Sequence, residues 1–224
     1  MDAGTFWKYF NMFVEGIGET LYMTGVSTLM AYVIGLPLGV ILHITDSEGI
    51  RPNRWINTIL GAVVNIIRSI PFVILIIAVI PVTMAIVHTT LGATATIVPL
   101  VIGAAPFVAR MVESSLKEVD AGVVEAAEAM GASPFQIVWK VLLPEARPSL
   151  MVGSVIAITT ILGYSAMAGV VGGGGLGVIA IQYGYNRYRY DIMMITVALL
   201  VVIVQVFQEV GMRLAKRGDK RISK

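Results

Sequence analysis

The sequence predicts an all-α, polytopic membrane helical bundle of five transmembrane helices, with a helix–Gly–helix insert on one side. Three observations predict it. The 224 residues are 57% hydrophobic and only 13% charged, with a mean hydropathy of +0.84, whereas soluble domains carry about 25% charge. Residues 20–45 and 69–109 contain no Asp, Glu, Lys or Arg, and roughly 20 apolar residues cross the hydrocarbon core as a helix. Residues 118–146 then turn polar and carry two sets of helix-end signals. A β-barrel is excluded because the apolar runs are continuous rather than alternating. The length suits one domain of several spans.

The spans are expected at about 21–44, 55–81, 96–116, 149–171 and 191–213. The long uncharged run divides at His88-Thr89-Thr90-Leu91-Gly92-Ala93, which reads as a turn. The second span contains Arg68. The fourth ends in Gly172-Gly173-Gly174-Gly175-Leu176-Gly177, a run that a regular helix tolerates only at a cost of about 1 kcal/mol per glycine. Pro37, Pro71, Pro81, Pro99 and Pro106 fall within spans or at their ends, where neighbouring helices can satisfy the freed carbonyls. Gly35 and Gly39 have the Gly-x-x-x-Gly spacing of close helix contacts, although glycine is frequent in membrane spans generally.

Orientation follows from Lys and Arg. Five spans put the termini on opposite sides. One side holds Arg51, Arg54, Lys117, Lys140, Arg147 and the basic tail from Arg213 to Lys224; the other holds Lys8, Arg187 and Arg189. The first side is therefore expected to be cytoplasmic and the N-terminus outside. The tail reads as a stop-transfer signal ahead of a lipid-binding one. The N-terminus lacks the pattern of a cleaved signal peptide, so the first span is expected to stay in the mature protein. With no cysteine, there is neither a disulfide framework nor a thiolate metal site. A net charge of +2 does not point to nucleic acid.

The insert is the most informative segment. Asp120 is placed to cap a helix over 121–130, and Gly131 to end it in a left-handed turn. Ser133, Pro134 and Gln136 form a capping box with proline at the first helical position, and Pro144 is expected to limit the second helix. Ala126 and Ala127 allow another backbone to approach, Glu125 and Glu128 suit cationic partners, and Phe135, Val138, Val141 and Leu142 form an apolar stripe. A helix lying on lipid is the alternative. Such helices are rich in Lys and Arg, and Lys140 is the only one within 118–146. That favours a docking surface.

The same segment resembles the EAA loop of ABC importer permeases. That family carries Glu-Ala-Ala, three residues, Gly, nine residues, then Ile-x-Leu-Pro. This chain has Glu125-Ala126-Ala127, Gly131 and Val141-x-Leu143-Pro144, so only Ile→Val departs. Residues 65–72 (Asn-Ile-Ile-Arg-Ser-Ile-Pro-Phe), 163–169 (Gly-Tyr-Ser-Ala-Met-Ala-Gly) and the glycine run resemble the branch that imports methionine. The resemblance covers about residues 15–215. It implies one ABC transmembrane domain of the type I importer class. It also implies that Glu125, Ala126, Ala127, Gly131, Ser133, Pro134, Phe135, Val141, Leu143 and Pro144 form a coupling helix seated on an ATPase. The implied assembly has a second copy of the chain, two cytoplasmic P-loop ATPase subunits and an external substrate-binding lipoprotein in a bacterial inner membrane. The implied cargo is methionine of either enantiomer, with another amino acid as the alternative.

Within the spans, Arg68 has two readings. It meets a substrate carboxylate, or it pairs with a helix C-terminus or Glu113 and holds the bundle together; an intramembrane charge must face the interior or water. Arg68 and Ser69, with Tyr164, Ser165 and Met167 before the glycine run, are candidates for the pathway or a gate. Bundle packing is the equal alternative for the last three. His43 and His88 read as surface residues, and Asn65 and Gln205 as interhelical hydrogen-bond partners. The sequence has no Gly-x-x-x-x-Gly-Lys-Ser/Thr, so no P-loop nucleotide site is expected. Nor is a catalytic residue, a metal site or a bound cofactor; ATP and Mg belong to the partner. A gradient-driven transporter would need buried carboxylates or half-helix ion sites, and no acid interrupts the first four spans away from their ends. A non-transporting scaffold with a docking insert is the remaining class.

Overall fold

The computed structural model describes residues 3–218, and side chains from residue 7 to residue 216. Among these the chain is helical throughout its ordered elements. They are α1 (Ala3–Ile44), α2 (Arg54–Ser69), α3 (Phe72–Ala78), α4 (Ile80–Val87), α5 (Ala93–Lys117), α6 (Ala121–Ala129), α7 (Pro134–Ile137), α8 (Leu143–Glu145), α9 (Arg147–Met167), α10 (Gly175–Val178) and α11 (Tyr190–Gly218). A π turn, Val138–Leu142, joins α7 to α8; a 3-10 turn, Ala168–Val171, follows α9; a second π stretch, Ile179–Tyr185, follows α10. Four of the described helices are long and apolar enough to cross a membrane, and a fifth span results if α2 and α3 count together.

Two expectations about the spans change. The segment expected as one helix over 55–81 is three helices. Pro71 is extended (φ −56°, ψ 132°), because proline has no N–H to donate and disfavours helix in the residue before it. A second break at Val79 (φ −93°, ψ 9°) precedes Pro81. The first helix starts at Ala3 rather than near 21. The expected boundary rested on the charge of Glu19, and the fold gives that carboxylate a partner inside the protein.

The residues form two compact units. The first contains the chain up to Met30, then Ile70–Gly103 and Ile158–Phe207. In it the glycine run interrupts the helix as expected at Gly172–Gly174, and its second half, from Gly175, begins α10. Glu19 accepts the Gly175 N–H at 2.5 Å, Thr20 Oγ1 accepts the Leu176 N–H at 2.9 Å, and Thr96 Oγ1 donates to the Gly173 carbonyl at 2.7 Å. The loop's polar groups are thus satisfied where water is scarce. Leu176, Ile179 and Ile192 form an apolar core beside it, covered by Met12, Phe13 and Ile17. Arg189 donates to Tyr9 Oη at 3.0 Å and pairs with Asp191 at 2.7 Å.

The second unit contains Ala31–Ser69, Ala104–Ala157 and the chain from Gln208 onward. Leu42, Val64 and Ala109 form its core, with Leu38 and Leu60 against them. The Gly35–Gly39 spacing works inside this unit. A methyl group on Gly35 would sit 2.7 Å from the Ala105 carbonyl oxygen, and one on Gly39 2.5 Å from that of Ala109. Gly39→Val is therefore expected to destabilise the chain by about 1–3 kcal/mol or more through overpacking. Gly18→Ala, where nothing lies within 4 Å, is expected to be neutral. Thermal unfolding of the two variants in detergent checks the contrast.

Candidate ATPase-coupling site

The insert lies wholly in the second unit, and its ends follow the sequence chemistry closely. Asp120 caps α6 by accepting the Gly122 N–H at 2.8 Å. Met130 is the C-cap, and Gly131 follows with φ +79°. The Gly131 N–H donates to Glu128 O at 2.8 Å and the Ala132 N–H to Ala127 O at 3.1 Å. That pair of bonds is a Schellman motif, which needs a left-handed residue at the position of Gly131. Ser133 accepts from the Gln136 N–H at 3.4 Å, and Gln136 Oε1 accepts from the Ser133 N–H at 2.8 Å. Both halves of the capping box are present, with Pro134 at the helix start.

Beyond this point the expectations need correction. Pro144 does not end the second helix. The chain stays helical from Pro134 to Glu145, widening into the π turn Val138–Leu142. The widening occurs where the Pro144 ring would otherwise meet the Lys140 carbonyl. The wider turn also splits the expected apolar stripe. Ile137, Val138 and Leu142 are buried, and Val141 and Leu143 are half-buried. Phe135 points out, 71% exposed, beside Trp139, 56% exposed, with ring centroids 6.0 Å apart. Met130 is 82% exposed at the turn. Met130 and Trp139 are absent from the set expected from sequence. The i, i+4 spacing of Phe135 and Trp139 is the signal that points to both rings on one face. Glu125 and Ala126 are exposed, Ala127 is buried, and Gly131, Ser133 and Pro144 face solvent.

Beside α6 lies a cleft of ≈ 620 Å³, within the roughly 300–1,000 Å³ range of small-ligand pockets. His43, Asp46, Glu48, Lys117, Glu125 and Glu128 line it. Lys117 pairs with Asp46 at 2.7 Å and with Glu113 at 3.0 Å, and Arg110 pairs with Glu113 at 2.6 Å. Glu113 is only 6% exposed. The Lys117 ammonium, then the Ser47 N–H, hold the Asp46 carboxyl below the usual carboxylate range. The folded state thus prefers the ionised form. Asp46 contributes stability above its unfolded value of about 4 and loses it as pH falls through the lower folded value. Asp46→Asn is expected to flatten the acid-side loss of stability below about pH 4 by up to about 1 kcal/mol, the scale of a part-exposed pair. Unfolding followed from pH 7 to 3 checks it.

Glu113 does not pair with Arg68; Arg110 and Lys117, three and four residues away on its own helix, take it instead. Arg68 is exposed in the last turn of α2, where a cation faces the free helix carbonyls. Among the described residues it has no ion-pair partner. Ser69 Oγ donates to Asn65 O at 2.8 Å, and Asn65 Oδ1 accepts from Arg110 at 3.1 Å. Arg68 and Ser69 belong to the second unit; Tyr164, Ser165 and Met167 belong to the first. Tyr164 stacks on Phe72 with centroids 4.4 Å apart. Ser165 is buried and donates to Leu162 O, whereas Met167 is exposed. His88 is exposed with φ +59°, while His43 is half-buried with Nδ1 unpartnered. His43 is thus not the simple surface residue expected. Among the described residues no cluster of His, Cys, Asp or Glu is arranged to hold a metal.

Comparison with known proteins agrees with this picture. Residues 35–224 match the family described as binding-protein-dependent transport system inner membrane component. The chain is 55% identical over 203 residues to the probable D-methionine transport system permease protein MetI of Vibrio cholerae, covering 91% of this chain and 90% of that one. It is 54% identical over 158 residues to the D-methionine transport system permease protein MetI of Salmonella typhimurium, covering 70% and 73%. A solved structure showing inward-facing conformations of the MetNI methionine ABC transporter superposes with a TM-score of 0.94 at 48% identity, covering 98% of this chain and 100% of that one. The family match spans most of the sequence, and the protein therefore belongs to the binding-protein-dependent transport system inner membrane components.

Proposed function

We propose that this chain is the permease subunit of an ABC importer for methionine, L- or D-, and that the 118–146 insert couples it to a separate ATPase. The observation that carries the coupling is the insert itself: a capped helix, a left-handed glycine and two exposed aromatic rings on one short, rigid element. The cargo rests on the relatives named for D-methionine and the likeness to the MetNI transporter. The chain is then a single transmembrane domain of five spans, with α2 and α3 together as the second, and it carries no catalytic residue. Two copies form the pathway, two P-loop ATPases bind ATP and Mg on the cytoplasmic side, and an external lipoprotein delivers substrate. The N-terminus is outside and the C-terminus inside a bacterial inner membrane. The distribution of Lys and Arg along the sequence, with Lys117, Lys140 and Arg147 set against Lys8, Arg187 and Arg189, supports that orientation.

ATP binding closes the ATPase dimer and draws the two inserts together. The bundles move from inward-open to outward-open, substrate enters from the binding protein, and hydrolysis resets the cycle. This is a two-state equilibrium biased by differential binding at a remote site. The test is uptake of labelled L-methionine into proteoliposomes holding the chain, its ATPase and the binding protein. ATP-dependent uptake competed by methionine, but not by glutamine, histidine or leucine, is the expected result. Competition by another amino acid overturns the cargo, and ATP-independence of the intact complex overturns the importer reading.

A further inference from the structure

We propose that Asp46, Lys117, Glu113 and Arg110 form a polar relay of positioning residues that makes α6, the end of α1 and α2 move as one body; the proposal rests on the coupling role assigned to the insert. The charges alternate in sign along one path. Asp46, in the loop after α1, meets Lys117 at 2.7 Å; Lys117 meets buried Glu113 at 3.0 Å; Glu113 meets Arg110 at 2.6 Å. The far end of Arg110 grips α2. Its Nη2 donates to the Gly61 carbonyl at 3.2 Å and to Asn65 Oδ1 at 3.1 Å. The near end faces the insert across a cleft. Lys117 and Asp46 line the same cleft as Glu125 and Glu128 of α6. α5 ends at Lys117 and α6 begins at Ala121, so only three residues separate them.

The chemistry favours a mechanical role over an adhesive one. Two apolar side chains of similar volume would stabilise a bundle at least as well as a buried ion pair. What the polar chain adds is direction: each partner fixes the next at hydrogen-bond distance, and sliding α2 along α5 would break both Arg110 hydrogen bonds, to the Gly61 carbonyl and to Asn65 Oδ1. A push on α6 is then passed to α2, whose last turn carries Arg68 and Ser69 and whose end is the break at Pro71.

The test measures methionine transported per ATP hydrolysed in the assembled complex, together with ATPase binding. Lys117→Met cuts the relay beside the insert and Asn65→Leu cuts it at α2. Both are expected to lower the transport-to-hydrolysis ratio about tenfold, the scale of a coupling free energy between sites, with ATPase binding unchanged. Lys117→Arg keeps the charge and is expected to retain the ratio. A wild-type ratio in both cut variants overturns the relay. So does a loss of transport, hydrolysis and ATPase binding in proportion, which assigns these residues a purely structural role. Absence of ATP-driven uptake by the wild-type complex is the separate failure of the importer reading.

Discussion

Gly131→Val is expected to abolish ATP-driven uptake while leaving the chain in the membrane. The reason is backbone conformation alone. Gly131 sits at φ +79°, and a Cβ there would meet nothing within 4 Å. The left-handed region costs a non-glycine residue roughly 1–2 kcal/mol, and a branched side chain is a genuine outlier there. Valine would unwind the Schellman turn, and with it the fixed angle between α6 and α7. Asparagine tolerates the left-handed region best among the other residues, so Gly131→Asn is expected to keep most of the uptake. Uptake and ATP hydrolysis measured for both variants, at equal membrane content, check the order Gly, Asn, Val. Equal activity of the valine variant would remove Gly131 from the coupling assignment.

The second large effect is expected at the exposed rings. Phe135→Ala and Trp139→Ala each remove an aromatic face standing clear of the protein. Centrally placed aromatic anchors cost 2 kcal/mol or more on truncation, so the affinity for the ATPase subunit should fall by about 30-fold per residue, at 1.4 kcal/mol per factor of ten. Trp7 is a matched control: it is also largely exposed, but it belongs to the first unit. Trp7→Ala is expected to leave ATPase binding unchanged. Affinity measured in detergent with purified ATPase distinguishes them. An unchanged affinity for both ring variants would assign the rings to lipid.

Legibility of the fold from sequence followed the range of the interactions. Three of the four helix ends in the insert were readable, because Asp120, Gly131, Ser133 and Gln136 act within four residues of themselves, whereas the end expected at Pro144 was not. The helical membrane class was readable from composition and uncharged runs. The π turn was not, since nothing local distinguishes Val138–Leu142 from an ordinary helix, and the error moved Val138 and Leu142 to the wrong face. Glu19 read as a span boundary because its partner, the Gly175 N–H, lies 156 residues away. Glu113 was only one of the partners open to Arg68, and the structure gives it nearer ones. Arg110 and Lys117 stood at i−3 and i+4 on the same helix, and that spacing outranks a distant Arg68.

That spacing also bears on how the chain enters the bilayer during synthesis. A lone charge near a helix centre adds about 2.5–3.5 kcal/mol to insertion. α5 brings Arg110, Glu113 and Lys117 in together, already neutralising one another on one face. Asp46, the remaining counter-charge, has left the ribosome before α5 emerges. The helix therefore needs no later segment to mask its charges, and its insertion does not have to wait for the rest of the bundle.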